Sequence, residues 1–147
     1  MLRIPSIALF AALLVSSAAL ASAMEDRPYT EGPVTDITFI KVKPGMFDAY
    51  MKWIATERKQ LLDEEKKAGI IIDAKVYVSE ARSPSDADIV LAVTFANMAA
   101  LDGLDAREDA VVEKVFGSEK KSNEAAVDRG KMREVLGSQI IRELVIK

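Results

Sequence analysis

From Thr35 apolar and polar positions alternate. Ile37 and Phe39 fall on one side with Lys41, and Thr38, Ile40 and Val42 on the other, the period of a strand. Apolar groups on both sides predict a strand covered on both faces. Pro44 lacks an N–H and Gly45 allows unusual backbone angles, so the strand stops there. Phe47, Tyr50, Met51, Ile54, Arg58, Leu61 and Leu62 then recur at spacings of three and four, which predicts one helical face. The reverse carries Lys52, Lys59, Asp63 and Lys66. Asp48 with Lys52, and Asp63 with Lys67, are spaced for exposed pairs of about 0.3 kcal/mol each. Gly69 marks the helix end.

Alternation returns over residues 70–81, with Ala74, Val76 and Val78 opposed to Lys75, Tyr77 and Ser79. The Pro, Ser and Asp residues of RSPSDAD form a turn before a third strand over 88–95, apolar on both sides. Asn97 caps a helix from Met98, and breaks at Gly103 and Gly117-Ser118 divide that helical stretch. Its last segment is expected to start at Ser118, run to Leu136 and stop at Gly137. QIIRELVIK closes the chain as a fourth strand. The order is β-α-β-β-α-β. Helices can cover only one face of such a sheet, so strands apolar on both faces predict a second copy over the other, a homodimer.

Composition narrows the chemistry. Arg3, the apolar run from Ile7 and Ala21-Ser22-Ala23 have the form of a signal peptide over residues 1–23. This implies export to a periplasmic or secreted location, with no stable membrane insertion after cleavage. Removing 23 of 147 residues leaves 124, enough for one domain. Residues 24–33 read as a flexible lead-in and residues 34–147 as the domain. Loss of Arg3 moves the formal charge from −3 to −4, which gives no electrostatic footprint for nucleic acid. The chain has no cysteine and no histidine. Disulfides, thiolate sites, imidazole metal or haem ligation and a Ser-His-Asp triad are excluded by inventory. No cofactor and no metal are expected.

Two stretches, KVKPGMFDAYMKW at 41–53 and VTFANMAALDGL at 93–104, resemble the dimeric α/β-barrel superfamily, in particular its antibiotic-biosynthesis-monooxygenase-like and NIPSNAP-like domains. The first is similar to that family's opening strand, Pro-Gly turn and aromatic-bearing helix, the second to its third strand running into a capped helix. The resemblance implies an α+β, ferredoxin-like protomer, with a four-stranded antiparallel sheet and helices on one face, pairing into a dimeric α/β barrel. It also implies a small-molecule cavity between the sheet and its own helices. Catalytic relatives commonly carry a histidine there, and LDGLDAREDAVVEKVF has none. Where many relatives have a tryptophan at the end of the third strand, this chain places Phe95.

Tyr50, Met51, Trp53 and Phe95 are the pocket candidates. Tyr50, Lys75 and Tyr77 are the candidates for proton transfer, the last two sharing a strand face. A core tyrosine and an exposed or dimer-contacting strand face are the plainer accounts. Arg142 and Glu143 face opposite ways, as a cross-dimer pair or as edge charges that discourage aggregation. Residues 119–134 mix five basic and four acidic side chains, a solvated helix face or a site for a partner or anionic lipid. Asp102, Asp105, Glu108 and Asp109 lack calcium-loop spacing and read as surface acids. The expected role is an exported dimer that binds an apolar small molecule or serves structurally. The alternatives are a cofactor-independent monooxygenase or isomerase acting on an aromatic or polyketide-like molecule, and an envelope protein-interaction module.

Overall fold

The computed structural model describes residues 27–147, so the signal peptide expected over residues 1–23 lies outside the described residues. The described residues fall in two compact units, residues 27–30 with 144–147, and residues 31–143. Of the smaller unit, residues 27–30 and 144–147 are described, and there the Lys147 N–H donates to the Pro28 carbonyl at 3.0 Å. The core and the candidate site belong to the larger unit.

Strand β1 (Tyr29–Val42) is followed by helix α1 (Phe47–Trp53), a π-helical turn (Ile54–Arg58) and helix α2 (Lys59–Lys67). Then come β2 (Asp73–Val78), β3 (Ile89–Phe95), a 3₁₀ turn (Met98–Leu101), α3 (Leu104–Phe116), α4 (Glu119–Met132) and β4 (Arg133–Ile146). The sheet order is β2-β3-β1-β4, an α+β arrangement of ferredoxin-like type. Antiparallel pairing sets Ile40 opposite Ile89, Thr38 opposite Leu91, Asp36 opposite Val93 and Val34 opposite Phe95. On the far side of β3, Val76 meets Leu91 and Ala74 meets Val93. These positions form the helix-covered face. Ile37, Phe39, Val90 and Ala92 take the alternate parity and the opposite face.

The handover after β1 is a tight turn in which the Met46 N–H donates to the Lys43 carbonyl at 3.0 Å. Pro44 supplies the fixed φ of the second position and Gly45, at φ 76°, the left-handed third position. Asp88 secures the same end of the strand: its carboxylate accepts from Lys41 Nζ and from the Val42 N–H, each at 2.9 Å.

Two clusters make the core. Ile40, Val42, Tyr50, Ile54, Ile89 and Leu91 form the first. Ile70, Ile71, Phe95 and Val111 form the second, with Leu61, Leu62 and Leu104 packed on it. Each such side chain removed from water contributes about 1.5–3 kcal/mol.

Several boundaries differ from the sequence reading. Residues 29–33, expected as flexible lead-in, belong to β1. The final helix ends at Met132, four residues before Leu136, and β4 begins at once. The Met132 carbonyl accepts from the Lys43 N–H at 3.0 Å, so strand hydrogen bonding at the β1 edge overrides local helix propensity. Asp63 pairs with Lys59 rather than Lys67, and Lys67 pairs with Glu64. Arg142 pairs within its own chain, with Glu31 at 2.6 Å.

Candidate functional site

Between the sheet and α1–α4 lies a cavity of about 460 Å³. Leu91, Val93 and Phe95 form its floor, and Leu61, Leu62 and Leu104 its walls. Charged groups enter this apolar frame: Arg58, Arg129 and Arg133, together with Asp36, Glu57, Glu65 and Glu108. Such a mixture of apolar lining and a few placed polar groups is the usual make-up of a small-molecule site.

The π-helical turn helps to aim these side chains. Thr56 Oγ1 donates back to the Lys52 carbonyl at 2.8 Å, a bond that competes with the regular ladder. The wider turn resets the helical phase, so Trp53 and Glu57 before it and Arg58, Leu61, Leu62 and Glu65 after it border one space. Trp53 is held by donation from Nε1 to Glu57 Oε2 at 3.0 Å. It stacks on Tyr50 with ring centres 5.7 Å apart and planes 10° from parallel. Arg129 lies over the Trp53 ring at 4.9 Å and Arg133 over the Tyr50 ring at 5.6 Å.

Tyr50 is fully buried, and its hydroxyl accepts from Arg133 at 3.0 Å. Burial pushes the phenol above its ordinary value, against the opposing pull of Arg133, Arg58 and Arg129. Tyr50 therefore stands behind the cavity wall and reaches it through Arg133. Burial also lowers Arg58 and Arg129 from the usual guanidinium range.

The carboxyls behave in the opposite sense. Glu65 is only 5% exposed, and burial, helped by the negative charge of Glu108, pushes it up to about 7. Burial raises Asp36 and Glu108 as well, and Glu108 also feels Asp105 and Asp36. The neighbouring Glu64 shows that position decides: turned to the α2–α3 surface, it is held down at about 2 by Lys114 and Lys67. No buried side-chain oxygen among the described residues is sealed away without a partner. With no side-chain hydrogen bond among the described residues, the Glu65 carboxyl opens on the cavity. Among the described residues no three carboxylates come close enough to hold a metal ion.

Of the pocket candidates, Trp53 and Phe95 border the cavity, Tyr50 lies directly behind it, and Met51 packs on the first core cluster away from the lining. The proton-transfer candidates do not form one site. Lys75 pairs with Asp73 at 3.3 Å, and Tyr77, 51% exposed, projects from the sheet face opposite the cavity. Arg129, Arg133 and Glu108, expected on solvated surfaces, face the cavity. Glu65 was not singled out by the sequence reading. Its signal is visible in retrospect: Arg58 and Glu65, seven residues apart, are charged residues on the otherwise apolar stripe of Ile54, Leu61 and Leu62.

No protein-family model matches the chain, and none of the curated proteins does. Among solved structures the fold is similar to that of HapK from Hahella chejuensis, with a TM-score of 0.50 and 16% sequence identity over 75% of this chain and 91% of HapK.

Proposed function

We propose that the protein is an exported homodimer of the dimeric α/β-barrel type, and that each protomer binds a largely apolar small molecule between its sheet and helices. The observation that carries the binding reading is the cavity itself: about 460 Å³, apolar in frame, with the buried Glu65 carboxyl opening into it. That volume lies within the range of roughly 300–1,000 Å³ typical of small-molecule sites. The dimer reading is supported by the sheet face away from the helices, which carries Ile37, Phe39 and Val90, and by exposed Ile140 on the neighbouring β4. Export rests on the sequence pattern of residues 1–23.

Native mass spectrometry of protein isolated from its own host tests both parts. The expected species is a dimer carrying one small molecule per chain. Empty protein that also fails to bind apolar probes refutes the binding reading. Phe39→Asp is expected to give a folded monomer by light scattering, and a wild-type monomer at micromolar concentration refutes the dimer.

One observation favours a second reading, a cofactor-independent isomerase or monooxygenase acting on an aromatic or polyketide-like molecule. Glu65, raised to about 7, is suited to accept a carbon-bound proton near neutral pH. In this reading Glu65 is the base, in place of Tyr50, Lys75 or Tyr77. Turnover of a co-purified compound that Glu65→Gln leaves unchanged removes this reading.

A further inference from the structure

We propose that the cavity takes an organic carboxylate with an apolar or aromatic body, its charged end seated among Arg58, Arg129 and Arg133. The proposal rests on the small-molecule reading above and specifies its ligand class.

All three guanidiniums border the same cavity. Arg133 spends one donor on the Tyr50 hydroxyl, and Arg129 lies over the Trp53 ring. Among the described residues neither they nor Arg58 stands at ion-pair distance from a carboxylate, whereas Arg142 elsewhere in the domain does. A guanidinium offers five N–H donors, so most of this donor capacity is unspent. Burial lowers Arg58 first; Tyr50 and Glu65 favour its charged form, and Arg133 and Arg129 oppose it. Glu65 acts on Arg58 and Glu57 on Arg129 only through space, without a direct ion pair, so an anion seated against the guanidiniums would offset more of the cost of burying them.

The remainder of the cavity defines the rest of the molecule. Trp53, backed by the buried Tyr50, borders the cavity beside the arginines, and Leu91, Val93, Phe95 and Phe116 continue the apolar lining. Arginine forks match carboxylate and phosphate equally well. Asp36, Glu65 and Glu108 in the same cavity discriminate between them, because they penalise a dianion or a second carboxylate. A monoanion with a single charged end meets both conditions.

Titration calorimetry of the purified protein at low salt, with 2-naphthoate and its uncharged isostere 2-naphthamide, tests this. Naphthoate is expected to bind at least about tenfold more tightly, the worth of one unshared ionic contact of roughly 1.4 kcal/mol. Arg133→Gln and, separately, Arg58→Gln should each remove most of that preference and leave naphthamide affinity within about twofold. The second variant serves if loss of the Tyr50 contact unfolds the first, with circular dichroism as the check. Equal affinity for the two probes overturns the carboxylate assignment and leaves cavity binding intact. Binding of neither probe overturns both.

Discussion

Glu65→Gln should stabilise this protein at alkaline pH and leave it nearly unchanged in acid. The Glu65 carboxyl is raised from an ordinary 4.5 to about 7 by burial and by the nearby charge of Glu108. Between those values the folded chain holds a proton that the unfolded chain has released, so stability falls as pH rises through this window. Below 4.5 both states are protonated and the group contributes no slope. Above about 7 the buried charge carries its full cost. A shift of this size corresponds to about 3–4 kcal/mol at 1.4 kcal/mol per unit, and water entering the cavity screens part of it, leaving about 2 kcal/mol. Glutamine keeps the shape and the neutral state and removes the titration. Urea unfolding of wild type and variant at pH 5 and pH 8 measures the effect. The expected result is near equality at pH 5 and a variant more stable by about 2 kcal/mol at pH 8, or roughly 6–10 °C in Tm for a domain of this size. Asp36 and Glu108 are raised in the same direction, so both proteins retain some slope, and the difference between them reports Glu65 together with its coupling to Glu108. Parallel pH profiles, or a variant weaker at pH 8 than at pH 5, would refute the assignment of Glu65 as a buried carboxyl open only to the cavity.

Three further outcomes are expected. Tyr50→Phe removes the hydroxyl that accepts from Arg133 and should cost about 1 kcal/mol in urea unfolding, with the aromatic stack retained. Ile40→Ala empties a fully buried position in the first core cluster and should cost about 2–5 kcal/mol, seen as a large drop in Tm. Asp88→Asn weakens the carboxylate contacts to Lys41 and the Val42 N–H, a half-exposed pair worth about 0.5 kcal/mol at pH 7. Because those partners hold Asp88 below its ordinary 3.8, this contribution is present above that value and fades as pH falls beneath it, which acid titration of the two proteins would record.

Local patterning determined a good deal about this chain. The alternation around Ile37–Val42, the Pro44-Gly45 stop, the three-and-four spacing from Phe47 and the caps at Asn97 and Ser118 each depend on residues close in sequence, so the element order and the strand-to-helix turn were legible. Both caps accept a backbone N–H three residues on, as their positions required. Patterning failed where long-range pairing decided the outcome. Residues 29–33 and 133–136 join strands because a neighbouring strand offers them hydrogen-bond partners, a fact no local window contains. The candidate site was the least legible. Tyr50, Trp53 and Phe95 could be placed from their apolar stripes, but Asp36, Glu65, Glu108, Arg129 and Arg133 come from five separate elements. In sequence they are ordinary charged residues. Packing alone turns Glu64 toward two lysines and Glu65 into a cavity, and holds one carboxyl at about 2 and the next at about 7. The sequence by itself determined which elements form and in what order, because those choices are local. The tertiary structure decided which charges lose their water and meet one another, because desolvation and Coulomb energy depend on distance in space rather than along the chain.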